Sequence, residues 1–108
     1  MTALAELRGR TAVTDRAATR IVCRVARELP EVVELREGDG LPWTHTSGAR
    51  VEHDLVGIRL FVTTAYPVPL RATAARIREQ VAERVSALTG LQVAYVDVVI
   101  TALRGAET

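Results

Sequence analysis

The chain has 108 residues, of which 48% are hydrophobic and 25% are charged, a composition typical of one ordinary globular domain. Its 14 basic and 13 acidic residues nearly cancel, which weighs against a nucleic acid as ligand, because neutralising phosphates calls for a basic excess. The single cysteine excludes an intrachain disulfide and a thiolate cluster for zinc. We therefore expect a small domain from a reducing compartment, the cytosol.

The first residues predict neither a signal peptide nor a membrane span, because no basic segment precedes a long apolar stretch. All 14 basic residues are arginine and asparagine is absent, a bias expected of a GC-rich bacterial genome such as an actinobacterial one. The predicted organisation is a flexible arm at 1–9, a single α+β domain at 10–103 and a tail at 104–108.

The first half of the domain predicts a brief strand at 10–13 and then an amphipathic helix. Thr14 or Asp15 can cap this helix, and Pro30 should end it. Its apolar stripe recurs at helical spacing and consists of Ala18, Ile21, Val22, Val25, Ala26 and Leu29. A short β-prone segment follows at 31–36.

A loop is predicted over 37–49, rich in glycine and carrying Trp43, and its length is typical of a functional segment. Alternating residues then predict a β-hairpin with strands at 51–52 and 55–64 that turns at His53-Asp54.

The clearest predicted element is a second helix, which has Pro69 in its first turn, runs to Leu88 and ends at Thr89-Gly90. Its apolar stripe is Leu70, Ala74, Ile77, Val81, Val85 and Leu88. The last strand, at 91–103, should place one set of residues toward the helices: Val96, Val98, Ile100 and Ala102.

The order β-α-β-β-β-α-β predicts an α+β fold in which two helices pack on one face of a small mixed sheet of three to four strands. Phe61, Tyr95 and Val99 should lie on the opposite face of that sheet. An uncovered apolar patch there would mark an interface.

Residues with catalytic or metal-binding chemistry are few and scattered. His45, His53 and Asp54 lack the spacing of a metal site, and turn chemistry explains them better. Cys23 and Ser47 have no nucleophile signature around them, and Cys23 should be a partly exposed helix residue. Neither GxGxxG nor GxxxxGK[ST] occurs. The sequence therefore predicts no enzyme, no cofactor and no metal.

Four arginines form a ridge on the polar side of the first helix: Arg16, Arg20, Arg24 and Arg27. This pattern favours a solvated face partly neutralised by nearby glutamates, and docking of an acidic partner is the functional alternative. Contact with RNA is a third interpretation, although no aromatic platform is interleaved with the arginines. Trp43 either packs over the edge of the core or projects as an interface anchor. The predicted partner-binding residues are Arg16, Arg20, Arg24, Arg27, Trp43 and Phe61.

Short motifs distributed over residues 10–103 point to a known family. They are Thr14-Asp15, Glu28-Leu29-Pro30-Glu31-Val32, Val56-Gly57-Ile58-Arg59-Leu60-Phe61-Val62, Ala65-Tyr66-Pro67-Val68-Pro69, Arg78-Glu79-Gln80-Val81, Leu88-Thr89-Gly90-Leu91 and Val96-Asp97-Val98. The arrangement resembles the alkaline shock protein family, the Gls-type envelope stress response proteins of Gram-positive bacteria. None of these motifs is catalytic.

The resemblance implies a cytosolic protein that is held near the membrane by a small membrane-anchored partner, self-associates and contributes to cell-envelope homeostasis. A non-catalytic scaffold or protein-interaction domain is accordingly the first functional hypothesis. The second, of a different class, is a small RNA-binding module that uses the arginine ridge.

Overall fold

A computed structural model describes residues 13–37 and 45–105, and these form an α+β fold. The elements in chain order are α1 (Asp15–Arg27), β1 (Glu34–Leu35), β2 (Gly48–Glu52), β3 (Leu55–Tyr66), α2 (Leu70–Thr89) and β4 (Gln92–Gly105). The predicted order is confirmed from the first helix onward. The predicted arm at 1–9, most of the strand predicted at 10–13, and Trp43 lie outside the described residues.

The sheet is mixed, as predicted, and β3 is its central strand. On one side of β3, residues 55–59 pair antiparallel with β2 and residues 62–63 pair antiparallel with β1. On the other side β3 pairs in parallel with β4 along its whole length. The other three strands therefore share one common partner, and among the described residues β4 is the strand on its side of β3.

Helix α1 begins where the sequence predicts, because the Thr14 hydroxyl accepts a hydrogen bond from the amide of Ala17 at 3.0 Å. It ends at Arg27, three residues before Pro30. The amides of Glu28 and Leu29 bond to carbonyls only three residues back, at 3.2 and 3.1 Å, which tightens the last turn before the proline. Leu29 nevertheless remains buried.

Both helices pack on the same face of the sheet, as predicted. The centre of the core consists of apolar side chains with no exposed surface: Ala18, Val22, Ala26, Val56, Ile58, Leu60, Val62, Ile77, Val81 and Val85. The predicted stripe of α2 is wrong at both ends, since Leu70 is 43% and Leu88 64% exposed, whereas Thr73 is buried. A helix of 20 residues is about 30 Å long, and only its middle lies over the sheet.

The two ends of α2 are set by Pro69 and Gly90. Pro69 is the residue that precedes the helix rather than part of its first turn. Gly90 adopts φ 75°, the left-handed conformation that favours glycine, and its amide donates to the carbonyl of Ser86 at 2.9 Å. The predicted stop at Thr89-Gly90 is thus confirmed.

Helix α1 lies along the outer edge of β2 and bonds to its backbone. Asp15 Oδ1 accepts from the amide of Val51 at 2.8 Å, and Thr19 Oγ1 accepts from the amide of Ala49 at 3.0 Å. The strand β2 begins at Gly48, which pairs with Arg59 of β3, and not at Val51 as predicted. The helix thereby covers a sheet edge that would otherwise present free backbone groups.

The same contact corrects the prediction for Cys23, which is only 3% exposed. Cys23 follows Thr19 by one helical turn and shares its side of α1, so it faces the sheet and not the solvent. Burial raises the pKa of its thiol, and the positive charge of Arg27 opposes this more weakly. The thiol is therefore a core group and stays protonated at neutral pH.

Strand β4 has two register shifts against β3, between Val93 and Tyr95 and between Ile100 and Ala102, and the second reverses its predicted alternation. Ile100 pairs with Val62, but Ala102 pairs with Thr63, so Thr101 is an extra residue. Val96, Val98 and Ile100 face the helices as predicted, whereas Ala102 lies on the opposite side and that part of the prediction is wrong. The strand runs on to Gly105, two residues beyond its predicted end.

Candidate partner-binding surfaces

The arginine ridge on α1 divides into two halves. Arg16 and Arg20 are exposed and form no ion pair within the described ranges 13–37 and 45–105. Arg24 is 3.8 Å from a carboxylate oxygen of Glu28, and Arg27 pairs with Glu37. Because two of the four charges are neutralised internally, the ridge is a weaker attractor of anions than its sequence suggests.

Glu28 connects the ridge to the second helix. Its Oε1 accepts from the guanidinium of Arg84 at 2.5 Å, while its Oε2 lies 3.8 Å from Arg24. The hydrogen bond from Arg84 is the main cause that lowers the pKa of Glu28 below its ordinary value of 4.5, and the charges of Arg84 and Arg24 add to it. Glu28 thus links Arg24 of the ridge to Arg84 of α2.

Phe61, Tyr95 and Val99 share the sheet face away from the helices, as predicted, but they differ in exposure. Tyr95 is 52% and Val99 39% exposed, whereas Phe61 is only 7% exposed. The ring of His45 lies edge-on against Phe61, with ring centroids 6.0 Å apart and an interplanar angle of 86°. The end of the long loop therefore covers Phe61 and leaves the other two side chains uncovered.

Ser47 is a structural residue that the sequence suggested only as a weak candidate nucleophile. It lies where β3 passes from its pairing with β2 to its pairing with β1. Its buried hydroxyl accepts from the amide of Phe61 at 2.9 Å and donates to the carbonyl of Phe61 at 3.4 Å. Phe61 lies between the part of β3 that pairs with β2 and the part that pairs with β1. The Ser47 side chain thus bonds the backbone groups that a neighbouring strand would otherwise bond there.

Tyr95 lies flat across the sheet because its parallel neighbour in β3 is Gly57. A Cβ on Gly57 would lie 2.5 Å from Cζ of the tyrosine ring. The ring therefore packs on the glycine backbone with one side and presents the other to solvent. Glycine is required here by close approach, not by its backbone angles.

Two ion pairs frame the helix-free face. Arg59 and Asp97 are 3.6 Å apart on neighbouring strands, and Arg104 of β4 reaches across β3 to Glu34 of β1. All four side chains are about half exposed, so the pairs orient the surface more than they stabilise it. The uncovered apolar side chains lie between polar groups, a pattern that marks binding surfaces.

A cleft of about 530 Å³ follows the middle of β4. Phe61 and Val99 line it from the helix-free face, Val96 and Val98 belong to the opposite side of the strand, and Arg78 reaches it from α2. Because these residues belong to both faces of the sheet, the cleft opens at the outer edge of β4. Sequence reasoning missed it, since which strand occupies an edge depends on pairing order.

The residues with catalytic or metal-binding chemistry are not brought together. His53 forms the hairpin turn with φ 60°, His45 packs on Phe61, and Cys23 lies in the core. Within the described part of the chain, no group of three or more His, Cys, Asp or Glu side chains has the geometry to hold a metal ion. None of the helices in 13–37 and 45–105 is long and apolar enough to cross a membrane.

Comparison with known proteins gives a family match over almost the whole chain. The model of the alkaline shock protein 23 family, described as having a cell envelope-related function, matches residues 4–104. The chain belongs to this alkaline shock protein family. The resemblance seen in its motifs is thereby confirmed, and the domain has a cell envelope-related function. Among individual curated proteins, none matches the chain.

The motifs that carried the resemblance have structural roles in this alkaline shock family domain. Thr14 caps α1, Gly90 ends α2, and Asp97 pairs with Arg59 on the helix-free face. These residues fix the fold around β3 and β4. The motifs therefore describe an architecture.

Proposed function

We propose that this alkaline shock family chain is a non-catalytic domain that binds another protein at the cell envelope. The observation that carries the proposal is the uncovered apolar surface on the helix-free face of the sheet. Tyr95, Val99 and Leu55 are 52%, 39% and 41% exposed there, beside the Arg59–Asp97 ion pair. Burying such side chains against a partner removes apolar area from water, which drives most protein association.

The positions of the reactive side chains support a non-catalytic role. Ser47 uses its hydroxyl to bond the backbone of Phe61, so it is not available as a nucleophile. His45 is committed to the ring of the same residue, and the thiol of Cys23 is buried with a raised pKa. Each group thus has a structural explanation, and the protein surface remains as the functional element.

The family's envelope-related function supports action at the inner face of the cell membrane. A small membrane-anchored protein is the partner that we propose, and the chain would reach the membrane through it. Tyr95 and Val99 lie on the face of the sheet opposite the helices, whereas the arginine ridge lies on α1. A protein partner that buries these two side chains therefore does not use the surface that an RNA would need.

The proposal is tested by site-specific photo-crosslinking of the full chain in its native host. A photoreactive residue replaces Val99, and the control replaces Glu83, which is exposed on α2. We expect the Val99 position to give an adduct with a membrane-anchored protein and the Glu83 position to give none. Equal labelling from both positions, or recovery of the free chain alone, would contradict a binding role for this face.

The same experiment distinguishes RNA binding from protein binding. A photoreactive residue at Arg20, which is exposed and unpaired within the described residues, lies on the arginine ridge. Adducts at Arg20 that a nuclease removes, and that disappear as the salt concentration is raised, would show that the ridge binds RNA. We expect none, because Arg24 and Arg27 are already paired with glutamates.

A further inference from the structure

We propose that the outer edge of β4 binds an extended peptide segment of a protein partner as an added strand, and that this segment carries alternating apolar residues and a carboxylate. The inference rests on the proposed function and names the part of the surface that recognises the partner. It starts from an asymmetry between the two edges of the sheet. Among the residues that the structure describes, one edge is covered and the other has no partner strand.

On the β2 side, Asp15 and Thr19 of α1 accept hydrogen bonds from the outward amides of the strand. On the β4 side, no strand among residues 13–37 and 45–105 pairs with the outer edge. Natural sheets protect such edges with unpaired charges, prolines or a covering element. The stretch 96–100 has no proline, and its single charge, Asp97, is already paired with Arg59.

The cleft along this edge has the geometry that an added strand needs. An extended peptide places successive side chains on opposite faces of the sheet it joins. On the helix-free face these side chains would meet the exposed Val99, and on the other face they would meet the half-buried Val98, whereas Phe61 and Val96 of the cleft lining are buried in the free chain. Main-chain hydrogen bonds to β4 would supply affinity, and the apolar contacts would select alternating apolar residues, as in other cases of strand addition.

The charged residues of the cleft favour a carboxylate on the bound peptide. Two arginines, Arg59 and Arg78, and one carboxylate, Asp97, line it. Arg59 is paired with Asp97 at 3.6 Å, whereas Arg78 has no ion pair within the described residues. A carboxylate on the bound segment would pair with Arg78. Because Arg78 is exposed, such a pair should contribute more to specificity than to affinity.

The charges also argue against a second copy of β4 as the occupant. Two copies paired edge to edge around a twofold axis would bring the same residues of both chains together. Centred on this stretch, such a pair would bring Arg78 toward Arg78 of the other copy, and the carboxylate of the cleft lining, Asp97, is already paired with Arg59. A segment of a different protein that carries a carboxylate therefore fits the charge of Arg78 better than a second copy of this chain does.

The test uses the full chain and a displayed library of random peptides of roughly eight residues, the length of an ordinary strand. Selected peptides are synthesised with their acidic residue retained or changed to lysine, and their affinities are measured by fluorescence anisotropy. We expect selected sequences to alternate apolar residues around one carboxylate. We expect bound peptide to slow hydrogen exchange of β4 amides between Val96 and Ile100.

Charge reversal at the cleft provides the decisive comparison. Arg78→Glu should weaken the carboxylate peptide by about tenfold or more and should improve the lysine version. Arg71→Glu is the matched control, because Arg71 is exposed two turns earlier on the same helix and is not in the cleft. It should leave both affinities within about twofold. Circular dichroism confirms that each variant is folded.

Several results would overturn the inference. One is a set of peptides that protect a different surface, and another is binding that is unaffected by Arg78→Glu. A third is protection, already in the free chain, of the β4 amides that do not bond to β3, whether by residues 1–12 or by a second copy. A library that yields no binder would also refute it, and the Val99 crosslink would then still report on the proposed function. Failure of that crosslink together with retained peptide binding would instead refute the envelope partner alone.

Discussion

Replacing Ser47 with alanine should destabilise the fold more than any other serine substitution in the described residues. The change leaves the buried amide of Phe61 without its partner at 2.9 Å, and an unsatisfied buried donor costs about 1–3 kcal/mol. The carbonyl of Phe61 loses less, because it still accepts from the amide of Arg36 at 2.9 Å. We therefore expect the free energy of unfolding to fall by about 1–3 kcal/mol.

Urea unfolding followed by circular dichroism measures this loss, and thermal unfolding should show a drop in Tm of about 4–8 °C for each kcal/mol. Ser86→Ala is the control, since Ser86 is exposed on α2 and alanine is favourable in a helix. It should change the unfolding free energy by no more than about 0.5 kcal/mol. If Ser47→Ala unfolds at the same urea concentration as the control, the bond between the Ser47 hydroxyl and the amide of Phe61 does not stabilise the fold.

Three further substitutions test other contacts. Gly57→Ala brings a Cβ to 2.5 Å from the ring of Tyr95 and should lower the unfolding free energy by about 1 kcal/mol; the loss should vanish in a Tyr95→Ala background, which a double-mutant cycle measures. The pKa of Glu28 is lowered by a hydrogen bond from a guanidinium of α2, so its carboxylate stabilises the fold fully above the ordinary pKa of 4.5. This stabilisation is lost as the pH falls through the lowered pKa. Glu28→Gln should therefore reduce stability at neutral pH but not in strong acid, and urea titrations at both pH values check this. Asp15→Ala removes the acceptor for the amide of Val51, and hydrogen exchange at that amide should accelerate, whereas an unchanged rate would show that the helix does not cover the strand by this bond.

The helices were predictable because their signals are local. A hydroxyl at Thr14 before an apolar stripe, and a glycine at Gly90 after one, define helix ends whatever the tertiary structure. The hairpin turn at His53-Asp54 was equally local. The alternation of apolar residues then gave the correct face for Val96 and its neighbours in β4.

The errors occur where distant segments decide the local structure. The bulge at Thr101 depends on the register against β3, so the sequence alone did not show that Ala102 changes sides. The burial of Cys23 depends on how α1 lies against β2, and helical geometry alone cannot supply that. The role of Ser47 appears only when β3 is seen to change partners at Phe61.

The candidate binding surface was predicted in part. Its face followed from alternation, and Tyr95 and Val99 are exposed there as a binding patch requires. The burial of Phe61 under His45 was not predictable, because the long loop has no periodic pattern. The open edge of β4 escaped prediction for a related reason, since strand order in a sheet is not encoded in the sequence of one strand.

The unequal edges of the sheet also set a limit on assembly. A sheet that is open at both edges can recruit a strand on each side, and every recruited chain then offers a new edge for the next, so growth has no natural end. In this domain the bonds from Asp15 and Thr19 to β2 close one of the two directions. The strand addition that we propose is consequently confined to the β4 side, and any further strand would have to pair with the outer edge of the first one added.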